Sequence, residues 1–264
     1  MENLNTTSMF VLELLQHFNR LSEGNLSFKH PFSFQTISGI KSIGTLSELI
    51  QAPTQSIRQT QSFSDESVAA ICWEVFIGNS KVQGVTALVR YPQGSEVRIM
   101  LNSFPATRLW RDEVYQLSSH YMNMADWTLP ANTDTSTPEY DPSETLDPKL
   151  PPGIELADDV IFEAPIVSKG LQGIKTVTTA IGHASAVYGP RDYEHKTMSG
   201  ACLLSLWNVS VSGLRIEAAN LIQFNTEKKV AKMTVSFQPW PAIKLFHDRM
   251  RVRTQYFLSS DYFE

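Results

Sequence analysis

The chain has 264 residues, of which 42% are hydrophobic, and a formal net charge of −5, enough apolar material for one large core or two ordinary ones. Its pI is about 5.7 and its basic residues are scattered, so it lacks the electrostatic footprint that a nucleic-acid backbone requires. No apolar run approaches the ~20 residues of a membrane-crossing helix, and the opening MENLNTTSMFVLELLQ has neither the basic start nor the cleavage pattern of a secretion signal; a cytoplasmic protein without nucleic-acid or membrane partners is expected.

The first 125 residues contain a complete set of predicted elements. Phe10, Leu14, Phe18 and Leu21 recur at helical spacing, and a turn at Glu23-Gly24-Asn25 ends that helix. A short strand follows over 26–29, and ISGIKSIGTLSELIQ reads as a second helix. Strands are predicted at about 56–63, 68–78, 81–91 and 96–103, separated by turns such as Gly78-Asn79-Ser80 and Pro92-Gln93-Gly94. PATRLWRDEVYQLSSHYM closes the set as a helix with Pro in its first turn.

The segment 126–153 is rich in Pro, Thr and Asp and poor in aliphatics, and reads as an extended linker. Trp127 and Tyr140, otherwise exposed, give it a reason to drape across a domain surface. From 154 onward the element order returns: a strand at 160–163, a helix near 173–185, strands at 193–196, 201–211, 214–224 and 230–237, and a helix from Pro241. A short turn over 155–158 is expected where this set lacks its own first helix. Tyr256, Phe257, Leu258, Tyr262 and Phe263 then form an aromatic tail expected to latch over the other copy or a partner chain.

The recurrence extends to residues. A shift of 134 places FKHPFSFQTISGIKSI on FEAPIVSKGLQGIKTV, and the same shift places Trp73 on Trp207. After a two-residue slip, a shift of 136 places FPATRLWRDEV on WPAIKLFHDRM. Three collinear blocks indicate duplication of a domain of roughly 100 residues. The expected division is 1–125 for copy one, 126–153 for the linker and 154–264 for copy two.

LADDVIFEAPIVSKGLQGIKTV, followed by LRIEAANLIQFNTEKKVAKMTVSFQPWPAIKL, resembles the nuclear transport factor 2-like superfamily. That superfamily includes ketosteroid isomerase, SnoaL-type polyketide cyclases and limonene-epoxide hydrolase. The resemblance implies an α+β chain of two cone-shaped domains, each a curved, mostly antiparallel sheet wrapped around helices. It also implies a pseudo-dimer within one chain, with further self-association left open, and an apolar pocket for a hydrophobic carbonyl-containing small molecule of polyketide, terpenoid or steroid-like kind.

In ketosteroid isomerases the catalytic base is an Asp before the Pro that follows the first short strand, and a second, protonated Asp donates to an oxyanion. Those slots hold His30 and Ala164, and Thr86 and Asn220, in this chain, so neither copy has both carboxylates. His30 is the candidate catalytic acid or base, since an unperturbed imidazole titrates near neutrality. Thr86, Asn220, Trp73, Trp207 and Tyr188 are the candidate ligand-binding residues. Only one of Trp73 and Glu74, and one of Trp207 and Asn208, can face a pocket, because strand side chains alternate.

HASAVYGPRDYEHK gathers His183, Tyr188, Asp192 and His195, but without compact ligand spacing. Cys72 and Cys202 make no zinc or disulfide pattern, and no hydrolase elbow, P-loop or dinucleotide motif occurs. No metal or cofactor is expected. Two functions stay open: a cyclase or isomerase using His30, and a non-catalytic ligand-binding or scaffolding protein.

Overall fold

The computed structural model describes residues 26–54, 56–118, 124–141, 144, 146–150 and 153–264; the helix expected over 10–21 lies outside them. The first half runs β1 (Leu26–Lys29), β2 (Thr36–Ser38), α1 (Ile40–Gln51), β3 (Ile57–Ser64), β4 (Val68–Ile77), β5 (Ser80–Tyr91), β6 (Gly94–Asn102) and α2 (Phe104–Ser118). The second runs β7 (Leu156–Glu163), β8 (Leu171–Gln172), α3 (Ile174–Tyr188), β9 (Asp192–Ser199), β10 (Cys202–Val211), β11 (Leu214–Phe224), β12 (Val230–Gln238) and α4 (Trp240–Thr254). The same order of elements therefore occurs twice. The turn expected over 155–158 is instead the start of β7, because Leu156, Ala157 and Val160 are buried and the strand pairs in parallel with β12.

One large, curved, mostly antiparallel sheet runs β3-β4-β5-β6-β12-β11-β10-β9. β6 and β12 join through the single pair Leu101–Phe237, and β1 and β7 add parallel strands beside β6 and β12. The joint is a corner rather than a ladder, so the two half-sheets fold over one another. β3 and β9, at opposite ends of the path, meet again through Gln61 Nε2 donating to Ser199 O at 3.2 Å and a Ser67 Oγ–His195 Nδ1 contact at 3.3 Å.

This folding-over explains why VAAICWEVFI lacks the alternation of a half-exposed strand. Ala69, Ile71, Trp73, Val75 and Ile77 of β4 face the helices of the first half, while Val68, Ala70 and Cys72 face the other way. The second set packs with Val85, Ala87, Val89 and Met100 against Leu204, Leu206 and Ala219 of the second half. Over 68–73 the strand is buried on both faces and carries no charged residue; Glu74 comes where the second face reaches solvent.

Beside this apolar seam sits an ionic one. Arg98, only 2% exposed, reaches Glu96 Oε1 at 2.7 Å and Glu194 Oε2 at 2.5 Å. Arg215 reaches Glu194 at 2.6 Å, and Glu217 accepts from Lys29 and, at 2.7 Å, from Gln238 Nε2. Lys29, Glu96 and Arg98 belong to the first half and the others to the second, so charge matching fixes the relative placement of the halves. Gly39 and Gly173 precede α1 and α3 at φ of 90° and 85°, a region that side-chain-bearing residues rarely occupy.

The described residues of the linker form a strap. A 3₁₀ turn at Met124–Trp127 begins it, and farther on Arg249 Nε and Nη2 donate to Ser136 O and Asp134 O, each at 3.1 Å. Gly182 lets the strap lie directly on α3, since a Cβ there would stand 3.0 Å from both Cβ and O of Leu146.

Candidate functional site

The two halves repeat one order of elements, and the space between sheet and helices differs between them. In the first half, among the described residues, aromatic side chains pack it. Trp73 points inward and Glu74 outward, settling which of the pair faces the cone; the Trp73 indole donates to Thr86 Oγ1 at 2.9 Å. The ring can lie flat on the sheet because its cross-strand neighbour is Gly84, where a Cβ would stand 2.4 Å from Trp73 Cη2 and Cζ2. Phe28, Phe32 and Trp110 pack around it. Trp127, delivered by the strap and 1% exposed, stacks near Phe32 and stands edge-on to Tyr115.

His30 lies under that plug. It is 1% exposed, and its ring centre is 4.7 Å from that of Trp127. Its Nδ1 accepts the Phe32 N–H at 3.1 Å, while its Nε2 is buried with no partner among the described residues. Burial lowers its pKa to about 3, because an imidazolium there would lose its hydration without gaining a counter-charge. The residue expected to exchange protons near neutrality is thus held as a neutral ring, a far weaker base than a free imidazole.

In the second half the interior is open. A cavity of ≈ 60 Å³ lies there. Phe162, Ile166, Ile181, Met233 and Phe246 form its walls, and Leu150 and Ile154 of the strap cover one side. Ala164, which holds the position of His30, lines it with a methyl group. The aromatic tail folds onto this half rather than onto the other: Leu258 and Phe263 line the same cavity, and Ser168 N–H donates to Tyr262 O at 2.7 Å.

The polar atoms of this cavity are few and mostly unpaired. Trp207 and Asn220 line it, as expected from the sequence; Trp207 Nε1 and Asn220 Oδ1 are buried without hydrogen-bond partners. Ser205, directly opposite Asn220 on the neighbouring strand, has an unpaired buried Oγ as well. In the first half the corresponding residues are Trp73, Thr86 and, opposite it, Ile71, and there the indole is satisfied.

The cause of the difference is one methyl group. Trp207 faces Ala218 where Trp73 faces Gly84. A Cβ at that place excludes the flat pose, so Trp207 cannot lie on the sheet as Trp73 does. Its indole is supported from the side by Tyr188, Tyr193 and Phe237.

Tyr188 lines the cavity too, with burial raising its pKa. Its hydroxyl accepts from Arg191 Nε at 3.0 Å and Nη2 at 2.7 Å. Ser205 and Arg191 were not legible as site residues in advance. The signal for Ser205 was the exchange of Ile71 for a hydroxyl at an inward repeat position; the signal for Arg191 was a lone cation between Pro190 and an inward strand start.

The other polar candidates have structural roles. His183 Nδ1 accepts from Arg253 Nε at 3.3 Å, and its ring contacts Tyr140 of the strap and Tyr256. Asn102 Nδ2 donates to Val235 O at 2.5 Å across the corner between the halves. Among the described residues no three His, Cys, Asp or Glu side chains gather at metal-binding distances, and no helix is long and apolar enough to cross a membrane.

No protein-family model and no curated protein matches the chain in sequence. Solved structures do resemble it. A steroid delta-isomerase from Pseudomonas aeruginosa is 18% identical over 39% of this chain and 77% of its own, with a TM-score of 0.37. A bacterial protein with a cystatin-like fold from Silicibacter pomeroyi is 24% identical over 39% and 72%, also at 0.37. An NTF-2-like protein from Burkholderia xenovorans is 17% identical over 31% and 64%, at 0.29. The likeness is one of fold, over part of the chain.

Proposed function

We propose that this chain is a fused pair of nuclear transport factor 2-like cones, a pseudo-dimer in which the second binds a compact, mostly apolar molecule and the first is a filled structural partner. One contrast carries the reading: the same inward Trp is satisfied by Thr86 in the first half and left unsatisfied, with Asn220 and Ser205, beneath a cavity in the second. Buried polar atoms without partners are rare in native proteins and call for a water or a ligand. The two residues that line the cavity suit a hydroxyl or carbonyl on the ligand: Trp207 N–H donates and Asn220 Oδ1 accepts. At ≈ 60 Å³ the cavity is too small for a four-ring steroid. Proton transfer through His30, the cyclase or isomerase expectation, would have to use a buried ring whose pKa burial lowers to about 3.

The test is thermal stabilisation by a panel of one-ring alcohols, ketones and acids, followed by calorimetry on the best ligand. Trp207→Phe, which removes the cavity's N–H donor, is expected to weaken binding several-fold, and Trp73→Phe to leave affinity unchanged. Equal effects of the two substitutions, or no stabilisation by any compound, would refute the assignment.

A further inference from the structure

Arg191 stands apart from the other guanidiniums drawn into the fold. Buried Arg98 and Arg249 each have a carboxylate within 4 Å, Arg98 having several. Arg191 lines the cavity, partly buried, with its guanidinium 5.4 Å from the Tyr188 ring centre and 5.5 Å from that of Trp207. Its acceptors among the described residues are neutral: the Tyr188 hydroxyl, Ser185 Oγ at 3.0 Å, Lys149 O at 2.8 Å and the Tyr193 hydroxyl. No described carboxylate forms an ion pair with it.

Holding a cation at an apolar wall without a counter-charge costs free energy that neutral acceptors recover only in part. The charge is also confined to the half with the cavity. In the register that sets Trp73 beside Gln59 and Trp207 beside Tyr193, the place of Arg191 in the first half belongs to Ile57. These neutral partners hold the guanidinium in place, so little side-chain entropy is left to lose when a ligand joins them.

We propose that the ligand of the second-half cavity is a one-ring carboxylic acid, bound as its carboxylate with Arg191 as counter-charge and its ring in the apolar chamber. The proposal rests on the reading of that cavity as a binding site. A single guanidinium suits a single negative charge, and its planar fork matches a carboxylate. No lysine joins it in the cavity lining, which argues against a phosphate dianion. The unpaired atoms of Trp207 and Asn220 accommodate a polar substituent elsewhere on the ring.

The experiment compares benzoate, 4-hydroxybenzoate and cyclohexanecarboxylate with their primary amides by calorimetry at pH 7 and low salt. The amides keep the shape and remove the charge. The acids are expected to bind the wild type about tenfold or more tightly than the amides, the worth of a charge-assisted contact. In Arg191→Gln the ratio should fall to about one with amide affinity kept, and Arg191→Lys should recover part of it. Equal affinity of acid and amide for the wild type, or a preference that survives Arg191→Gln, would overturn the counter-charge and leave the cavity assignment standing. Absence of binding by every acid and amide would overturn both.

Discussion

Removing the indole of Trp127 should open the first cone and change the chemistry of what lies beneath it. A buried Trp withdraws roughly 150–250 Å² from water, which at ~25 cal/mol per Å² amounts to about 4–6 kcal/mol as an upper figure. Measured Trp or Phe to Ala losses in cores are about 3–5 kcal/mol. Since Trp127 is 1% exposed and packs on Phe32, His30 and Tyr115, Trp127→Ala is expected to cost ~4 kcal/mol in urea unfolding at pH 7. Two further readouts separate a vacated plug from general damage. Free indole should restore stability, by about 2.7 kcal/mol at a hundred times its dissociation constant. The His30 imidazole, with a pKa of about 3 in the wild type, should titrate closer to ~6.5 once water reaches it, which heteronuclear NMR would follow. A loss below ~1 kcal/mol, or a His30 pKa that does not move, would show that the strap does not seal this cone.

Three other substitutions probe the rest of the fold. Asn220→Thr places in the second half the hydroxyl that Trp73 uses in the first; it should remove an unsatisfied amide, raise stability by about 0.5–1.5 kcal/mol and abolish ligand binding, and undiminished affinity would count against Asn220 as a contact. Gly84→Ala puts a Cβ into the Trp73 ring, at 2.4 Å, and should cost about 1–3 kcal/mol; a neutral outcome by thermal denaturation would mean the ring does not lie on Gly84. Burial opposes ionisation of Glu217, yet Arg98 and Lys29 outweigh it and hold the pKa below 4.5. A depressed carboxylate stabilises the fold above the unfolded-state pKa and loses that contribution as pH falls through the folded-state value. Glu217→Gln should therefore cost about 3–5 kcal/mol at pH 7, with the gap to wild type narrowing below pH ~4.5; a gap constant down to pH 3 would remove Glu217 from the acid-sensitive seam.

Much of this fold was readable because local signals and tertiary demands coincide. The alternation that marks β5 and β11, the Gly-Ile-Lys at the start of α1 and α3, and the Pro in the first turn of α2 and α4 are short-range instructions that the structure follows. β7 was missed at its start because Leu156-Ala157-Asp158-Asp159 has polar residues where the strand faces solvent, and its pairing partner lies at Val230, too distant for any local pattern. The site was half legible. Trp207 and Asn220 were candidates from repeat and resemblance and Tyr188 from the polar segment 183–196, and all three line the cavity, whereas the packing of the first half depends on Trp127 crossing from a segment whose composition describes a spacer. A pKa near neutrality for His30 was the natural expectation for an imidazole at a strand end; the aromatic burial that lowers it is a property of three dimensions.

The single methyl that distinguishes Ala218 from Gly84 has a consequence for stoichiometry. Two identical subunits related by a two-fold axis must carry every substitution in duplicate, so a residue that closes one chamber closes its mate. A continuous polypeptide escapes that rule: one lobe can be committed to rigidity and the other to occupancy, and such a molecule takes up one guest per chain, with a hyperbolic isotherm and no twin vacancy to fill.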